Sequence, residues 1–125
     1  MLFRSDFAHH PTAIAGTLKA LRTRYVGRRL WAILEPRSNT LRRKVFEAEL
    51  TDSLALADQV VLASVFKSDA VPEAERLDTQ VVIAKLRDAG RAARLLASAD
   101  DIVTAITPEL REGDVVCRKI GRAHV

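Results

Sequence analysis

A chain of 125 residues holds one domain of ordinary size. Hydrophobic residues make up 48% and charged residues 29%, and mean hydropathy is zero, which excludes long disorder. No apolar run approaches the roughly 20 residues that cross a bilayer, and Arg4 and Asp6 interrupt the start, so neither a membrane span nor a secretory leader is expected. Cys117 is the one cysteine, so no internal disulfide can form, which is compatible with a reducing compartment.

The charge is unevenly spread. Residues 1–50 carry 10 basic and 4 acidic side chains, a balance of +6, and residues 51–125 carry 10 and 12, a balance of −2. A group that binds anions is therefore expected in the first half.

In chain order, Leu2–Ser5 reads as the end of a first strand. Pro11 suits the first turn of a helix, Ile14, Leu18, Leu21 and Tyr25 share one face of it, and Gly27 stops it. Arg29–Leu34 is a short apolar strand closed by Glu35-Pro36. Thr40 is expected to cap a second helix with a stripe of Phe46, Leu50, Leu54 and Ala57. Gln59–Phe66 is a third strand, and Asp78 or Thr79 starts a helix that buries Val82 and Leu86 and stops at Gly90. Ala93–Ala97 is a weaker strand, and Ser98 caps a helix with Ile102, Ile106 and Leu110 inward. Gly113 launches a last strand, Asp114–Cys117. Strands alternating with helices, and strands that are continuously apolar, imply a three-layer α/β domain: a mostly parallel sheet of about five strands with four helices. Ligands of such sheets bind at the carboxyl ends of the strands. That rule selects three connections, Asp6–Thr12, Glu35–Thr40 and Phe66–Glu75.

Two of these connections carry chemistry. In Asp6-Phe7-Ala8-His9-His10-Pro11-Thr12, an acid at a strand end can accept hydrogen bonds from ribose hydroxyls, and histidines beside a helix start can approach a phosphate. The plainer reading is a turn capped by Asp6 with two exposed histidines. Zinc is not expected, because adjacent histidines point apart and no third ligand is near. In Glu35-Pro36-Arg37-Ser38-Asn39-Thr40-Leu41-Arg42-Arg43-Lys44, hydrogen-bonding side chains precede three cations, a set suited to carboxylates because the arginine fork meets them bidentately. The plainer reading is a capped turn and a solvated basic face. Cations in the first turns of a helix oppose its dipole, which favours the functional reading.

Walker-type loop, dinucleotide fingerprint and serine elbow are all missing from the sequence. Cys117 has no histidine beside it in sequence and reads as a bystander in a strand. Basic residues are not interleaved with aromatics, so single-stranded nucleic acid is not an expected partner.

The pair DFAHHPTAI (Asp6–Ile14) and EPRSNTLRRKVF (Glu35–Phe46) resembles the C-terminal domain of the Mur ligase family over about Ser5–Val116. Within the family it is most similar to the branch that joins a murein tripeptide to UDP-N-acetylmuramate in peptidoglycan recycling. The alanine-adding branch is the alternative, with tyrosine-glycine usual where Phe7-Ala8 stand and a different second motif.

The resemblance implies a Rossmann-like domain that closes over the active site of a three-domain cytoplasmic enzyme. It implies ATP with Mg2+ held mainly by a central domain, an acyl-phosphate intermediate, and no nucleic-acid or membrane partner. It also implies binding roles rather than catalytic ones. Asp6, His9 and His10 would face the nucleotide, and Arg37, Ser38, Asn39 and Thr40, with Arg42 and Arg43, would face the incoming peptide. Ser5 stands where the family usually has a second acid.

After Val116 the family continues with a glycine-rich segment and a last helix, whereas here Ile120–Val125 read IGRAHV, the product of a common sequencing adapter in one frame. Residues 1–117 are therefore expected to be the domain, cut short and inactive alone, and 118–125 a non-native tail. Without Arg118, Lys119 and Arg122 the net charge falls from +4 to +1. A free-standing anion-binding α/β module is the rival of a different class. Nucleic-acid binding through Arg42–Lys44 would instead give steeply salt-dependent affinity.

Overall fold

The computed structural model describes residues 2–5, 11–35, 44–64 and 72–119. Within them the elements run β1 (Leu2–Ser5), α1 (Pro11–Arg24), β2 (Leu30–Leu34), α2 (Glu47–Leu54), β3 (Gln59–Ala63), α3 (Thr79–Asp88), β4 (Ala92–Leu96), α4 (Ala99–Ile106) and β5 (Val115–Lys119). All five strands are parallel, in the order β1-β5-β2-β3-β4. The α/β class, the five strands and the four helices stand as expected from the sequence.

The central strands β2 and β3 are buried on both faces, and period-two alternation divides their side chains between two cores. Leu30, Ala32, Leu34, Val60 and Leu62 point to the face covered by α1, α2 and α3, where they meet Leu18, Leu21, Leu50, Leu54, Val82 and Leu86. Trp31, Ile33, Val61, Ala63 and Val116 point the other way, against Ile102 and Ile106 of α4. Right-handed crossovers require this division. The chain moves in one direction across the sheet from β1 to β4 with its helices on one face, then returns to β5 beneath the other.

The bounds of β2, β3 and β4 differ from the sequence reading by one to three residues, and three further boundaries differ for a physical reason. The α-helical part of the second helix begins at Glu47, after a 3-10 turn at Lys44–Phe46, not within reach of Thr40. Glu47 and Glu49 occupy its first turn, where the dipole favours acids. Lys44 therefore precedes the α-helix instead of opposing its dipole. The fourth helix stops at Ile106, because Pro108 has no N–H to continue the ladder and a 3-10 turn, Thr107–Glu109, follows. Leu110 still packs on the α4-side core from beyond that turn. β5 begins after Asp114 and runs through Lys119, pairing with both β1 and β2, so it takes in Arg118 and Lys119 of the expected tail.

The capping expectations stand at α3 and α4. The Asp78 carboxylate accepts from the Gln80 and Val81 amides, and Ser98 accepts from Asp101. At the end of α3, Gly90 adopts φ +84°, the left-handed conformation that glycine enters without steric cost.

Candidate functional site

Because the sheet is parallel, the chain leaves β1 at Ser5, β2 at Leu34 and β3 at Ala63 along the same edge. β5 lies between β1 and β2, so those two strands stand two inter-strand spacings apart, about 10 Å. β3 is the direct neighbour of β2. The three connections selected from the sequence thus leave from one edge. Asp6, His9 and His10 fall between β1 and α1. Arg37, Ser38, Asn39, Thr40, Arg42 and Arg43 fall between β2 and the turn at Lys44. All nine lie outside the described residues.

The elements that frame these segments are cross-tied. Ser53 near the end of α2 donates its hydroxyl to the carbonyl of Pro11, the first residue of α1, at 2.7 Å. Glu47, the first residue of α2, accepts from the Asp78 amide at 3.1 Å and so joins the start of α2 to the cap of α3. Both Glu47 and Ser53 are buried. These two buried polar side chains, one near each end of α2, are thus paired with neighbouring elements.

The opposite edge holds a polar cluster that the sequence reading did not single out. Asp114, 4% exposed, accepts from Arg29 Nε at 3.2 Å, Arg29 Nη2 at 2.7 Å, the Arg111 amide at 2.9 Å and the Trp31 indole at 3.0 Å. Burial alone would raise its pKa, but the bonds from Arg29, Arg111 and Trp31 outweigh that and hold the carboxyl below its ordinary value. Arg29 lies 5.0 Å from the Trp31 ring centroid and Arg94 5.9 Å. Arg94 in turn forms a two-bond pair with Glu109 at 2.7 and 2.8 Å.

Asp58 repeats the arrangement before β3. It accepts the Leu30 amide at 2.9 Å and Arg22 at 2.9 and 3.2 Å, and these bonds overcome desolvation to lower its pKa. The common signal in the sequence is an aspartate one residue before a strand. Both carboxylates are paired and lie away from the edge that ends β1, β2 and β3, so they fasten strand starts. Cys117 is half-buried against the α1–α3 core. Among the described residues, no three His, Cys, Asp or Glu side chains gather as a metal would require, and no helix is long and apolar enough to cross a membrane.

Residues 1–119 match the family described as Mur ligase, glutamate ligase domain. The chain belongs to the Mur ligase family. It is 53% identical over 58 residues to the UDP-N-acetylmuramate–L-alanyl-γ-D-glutamyl-meso-2,6-diaminoheptandioate ligase of Escherichia coli K12, covering 46% of this chain and 13% of that protein. It is 30% identical over 115 residues to the UDP-N-acetylmuramate–L-alanine ligase of Desulfitobacterium hafniense Y51, covering 92% of this chain and 25% of that one. The crystal structure of a murein peptide ligase from Psychrobacter arcticus superposes with a TM-score of 0.72 at 31% identity, over 94% of this chain and 24% of that one. The chain thus spans a quarter or less of the length of these ligases.

Proposed function

We propose that this chain is the domain of a cytoplasmic ATP-dependent ligase that closes over the active site and presents the tripeptide L-Ala-γ-D-Glu-meso-diaminopimelate to UDP-N-acetylmuramate. The observation that carries this reading is the 53% identity over 58 residues to an Escherichia coli ligase named for that substrate pair. The pairing of DFAHHPT with EPRSNT, after two strands that leave one sheet edge, supports it.

In the proposed reaction the muramyl lactate carboxylate attacks the γ-phosphorus of ATP, and ADP leaves. The tripeptide amine then attacks the acyl carbon, loses a proton, and expels phosphate to give the amide. This domain contributes binding. Asp6 accepts the ribose hydroxyls, His9 and His10 approach the nucleotide, and Arg37, with Ser38, Asn39, Thr40, Arg42 and Arg43, takes the tripeptide carboxylates. Among the residues of the first motif, one carboxylate and two imidazoles suit a nucleotide better than Mg2+, which prefers an oxygen shell. The Mg2+ ligands are accordingly assigned to the remainder of the ligase.

The alanine-adding reaction is the second reading, favoured by an alignment that extends over 92% of the chain. The deciding experiment supplies the ligase that carries this domain with UDP-N-acetylmuramate, ATP and either the tripeptide or L-alanine, and measures phosphate release and product mass. Product with the tripeptide alone supports the first reading. Product with L-alanine alone replaces it with the second. An inactive ligase, together with tight anion binding by the 125-residue chain, would favour a free-standing module.

A further inference from the structure

The hydroxyl of Ser53 has a carbonyl acceptor inside its own helix, Glu49 at 2.8 Å, four residues back. That bond alone would satisfy it, as buried serines in helices commonly are. Its single hydrogen is nevertheless shared with the Pro11 carbonyl, 2.7 Å away on another helix and 42 residues distant in sequence. Pro11 begins α1 directly after Asp6–His10, and α2 follows Arg37–Arg43 through a single 3-10 turn. This one side chain therefore ties the element that receives the first motif to the element that receives the second.

Thr51 provides an internal contrast. It lies on the same helix, is equally buried, and its hydroxyl donates only to Glu47 of its own helix at 2.8 Å. We infer that Ser53 is a positioning residue, fixing the start of α1, the helix that follows the first motif, against α2, the helix that follows the second. This rests on the ligase reading for the roles of the two segments, but not for the anchor itself.

The test compares Ser53→Ala with Thr51→Val, which loses a buried hydroxyl without a cross-helix bond, and with Ser53→Thr, which restores the donor. In the 125-residue chain, amide hydrogen exchange at Ala15 and Gly16, the first amides bonded back to the opening turn of α1, should rise about fivefold in Ser53→Ala relative to Thr51→Val. In the full ligase, the KM for ATP should rise by about the same factor in Ser53→Ala while the KM for tripeptide holds, and Ser53→Thr should recover it. Equal exchange in Ser53→Ala and Thr51→Val overturns the assignment whatever the ligase does. So does an unchanged KM for ATP in an enzyme whose KM for ATP rises with Asp6→Asn. An enzyme indifferent to Asp6→Asn refutes the nucleotide role of the first motif instead, and the exchange comparison then decides the anchor.

Discussion

Trp31 donates its indole N–H to Asp114 across 83 residues of chain, and both side chains are buried at the edge where β2 and β5 begin. Asp114 is the acceptor for three further donors, so its loss strands an arginine and an indole together. Asp114→Ala is expected to cost about 2–4 kcal/mol, below the full penalty of a deeply buried pair because Arg29 keeps some contact with water. Trp31→Phe should cost less in that background than in the wild type, since the indole has already lost its acceptor. Urea denaturation of the four chains of this cycle measures both effects, and strict additivity would show that the bond contributes nothing.

The same carboxyl, with Asp58, sets a pH dependence. Both are held below the ordinary value of 3.8 in the folded chain. A carboxyl whose pKa is depressed by folding stabilises the native state above its unfolded pKa and loses that contribution as pH falls through its folded pKa. Stability is therefore expected to be level above about pH 5 and to fall progressively below about pH 4. Denaturation midpoints between pH 3 and pH 7 test this. Asp58→Asn combined with Asp114→Asn should flatten the acid limb, and an unchanged limb would move its origin elsewhere.

What was legible in the sequence follows the range of the forces involved. The elements came from local signals: the apolar runs of β2 and β3, the 3.6-residue spacing in α1, and the caps at Asp78 and Ser98. Thr40 is a good cap by type, but α2 starts later, where Glu47 and Glu49 meet the favourable end of its dipole. Leu110 keeps the apolar spacing of α4 past Pro108, but the missing N–H of Pro108 stops the helix first. The insertion of β5 between β1 and β2 has no local signature, since it depends on which buried strands meet after the chain has crossed beneath the sheet. The two aspartates that fasten the strand starts were invisible for the same reason. Their partners Arg29, Trp31 and Arg22 lie 36 to 85 residues away and behave, in sequence, like ordinary surface and core residues. The two motifs stand out by contrast, because DFAHHPT and EPRSNT are each contiguous, and their chemistry belongs to the proposed function.

Gly90 offers a clean test of backbone strain. A Cβ built there meets nothing within 4 Å, so a substitution is opposed by its φ of +84° and not by packing. Gly90→Ala is expected to destabilise the chain by about 1–2 kcal/mol, and Gly90→Asn by less, because asparagine tolerates the left-handed region. Thermal denaturation of the two variants separates them, and equal stabilities would show that α3 ends by some other means.

Arg37 tests the peptide-facing role directly. A guanidinium that takes a carboxylate through two parallel N–H bonds loses both charge and geometry on truncation, and geometry alone on replacement by lysine. A charged hydrogen-bonded contact of this kind is worth about 1.5–3 kcal/mol, or about 10- to 150-fold in affinity. Arg37→Ala in the full ligase is therefore expected to raise the KM for tripeptide by that factor, with the KM for ATP within about twofold of wild type. Arg37→Lys should recover only part of the loss, because a point charge cannot reproduce the fork. Asp6→Asn should show the reverse split, raising the KM for ATP and sparing that for tripeptide. If Arg37→Ala raised both constants equally, the residue would act on domain closure, since a contact made with one substrate cannot weaken the other to the same degree without a shared conformational step.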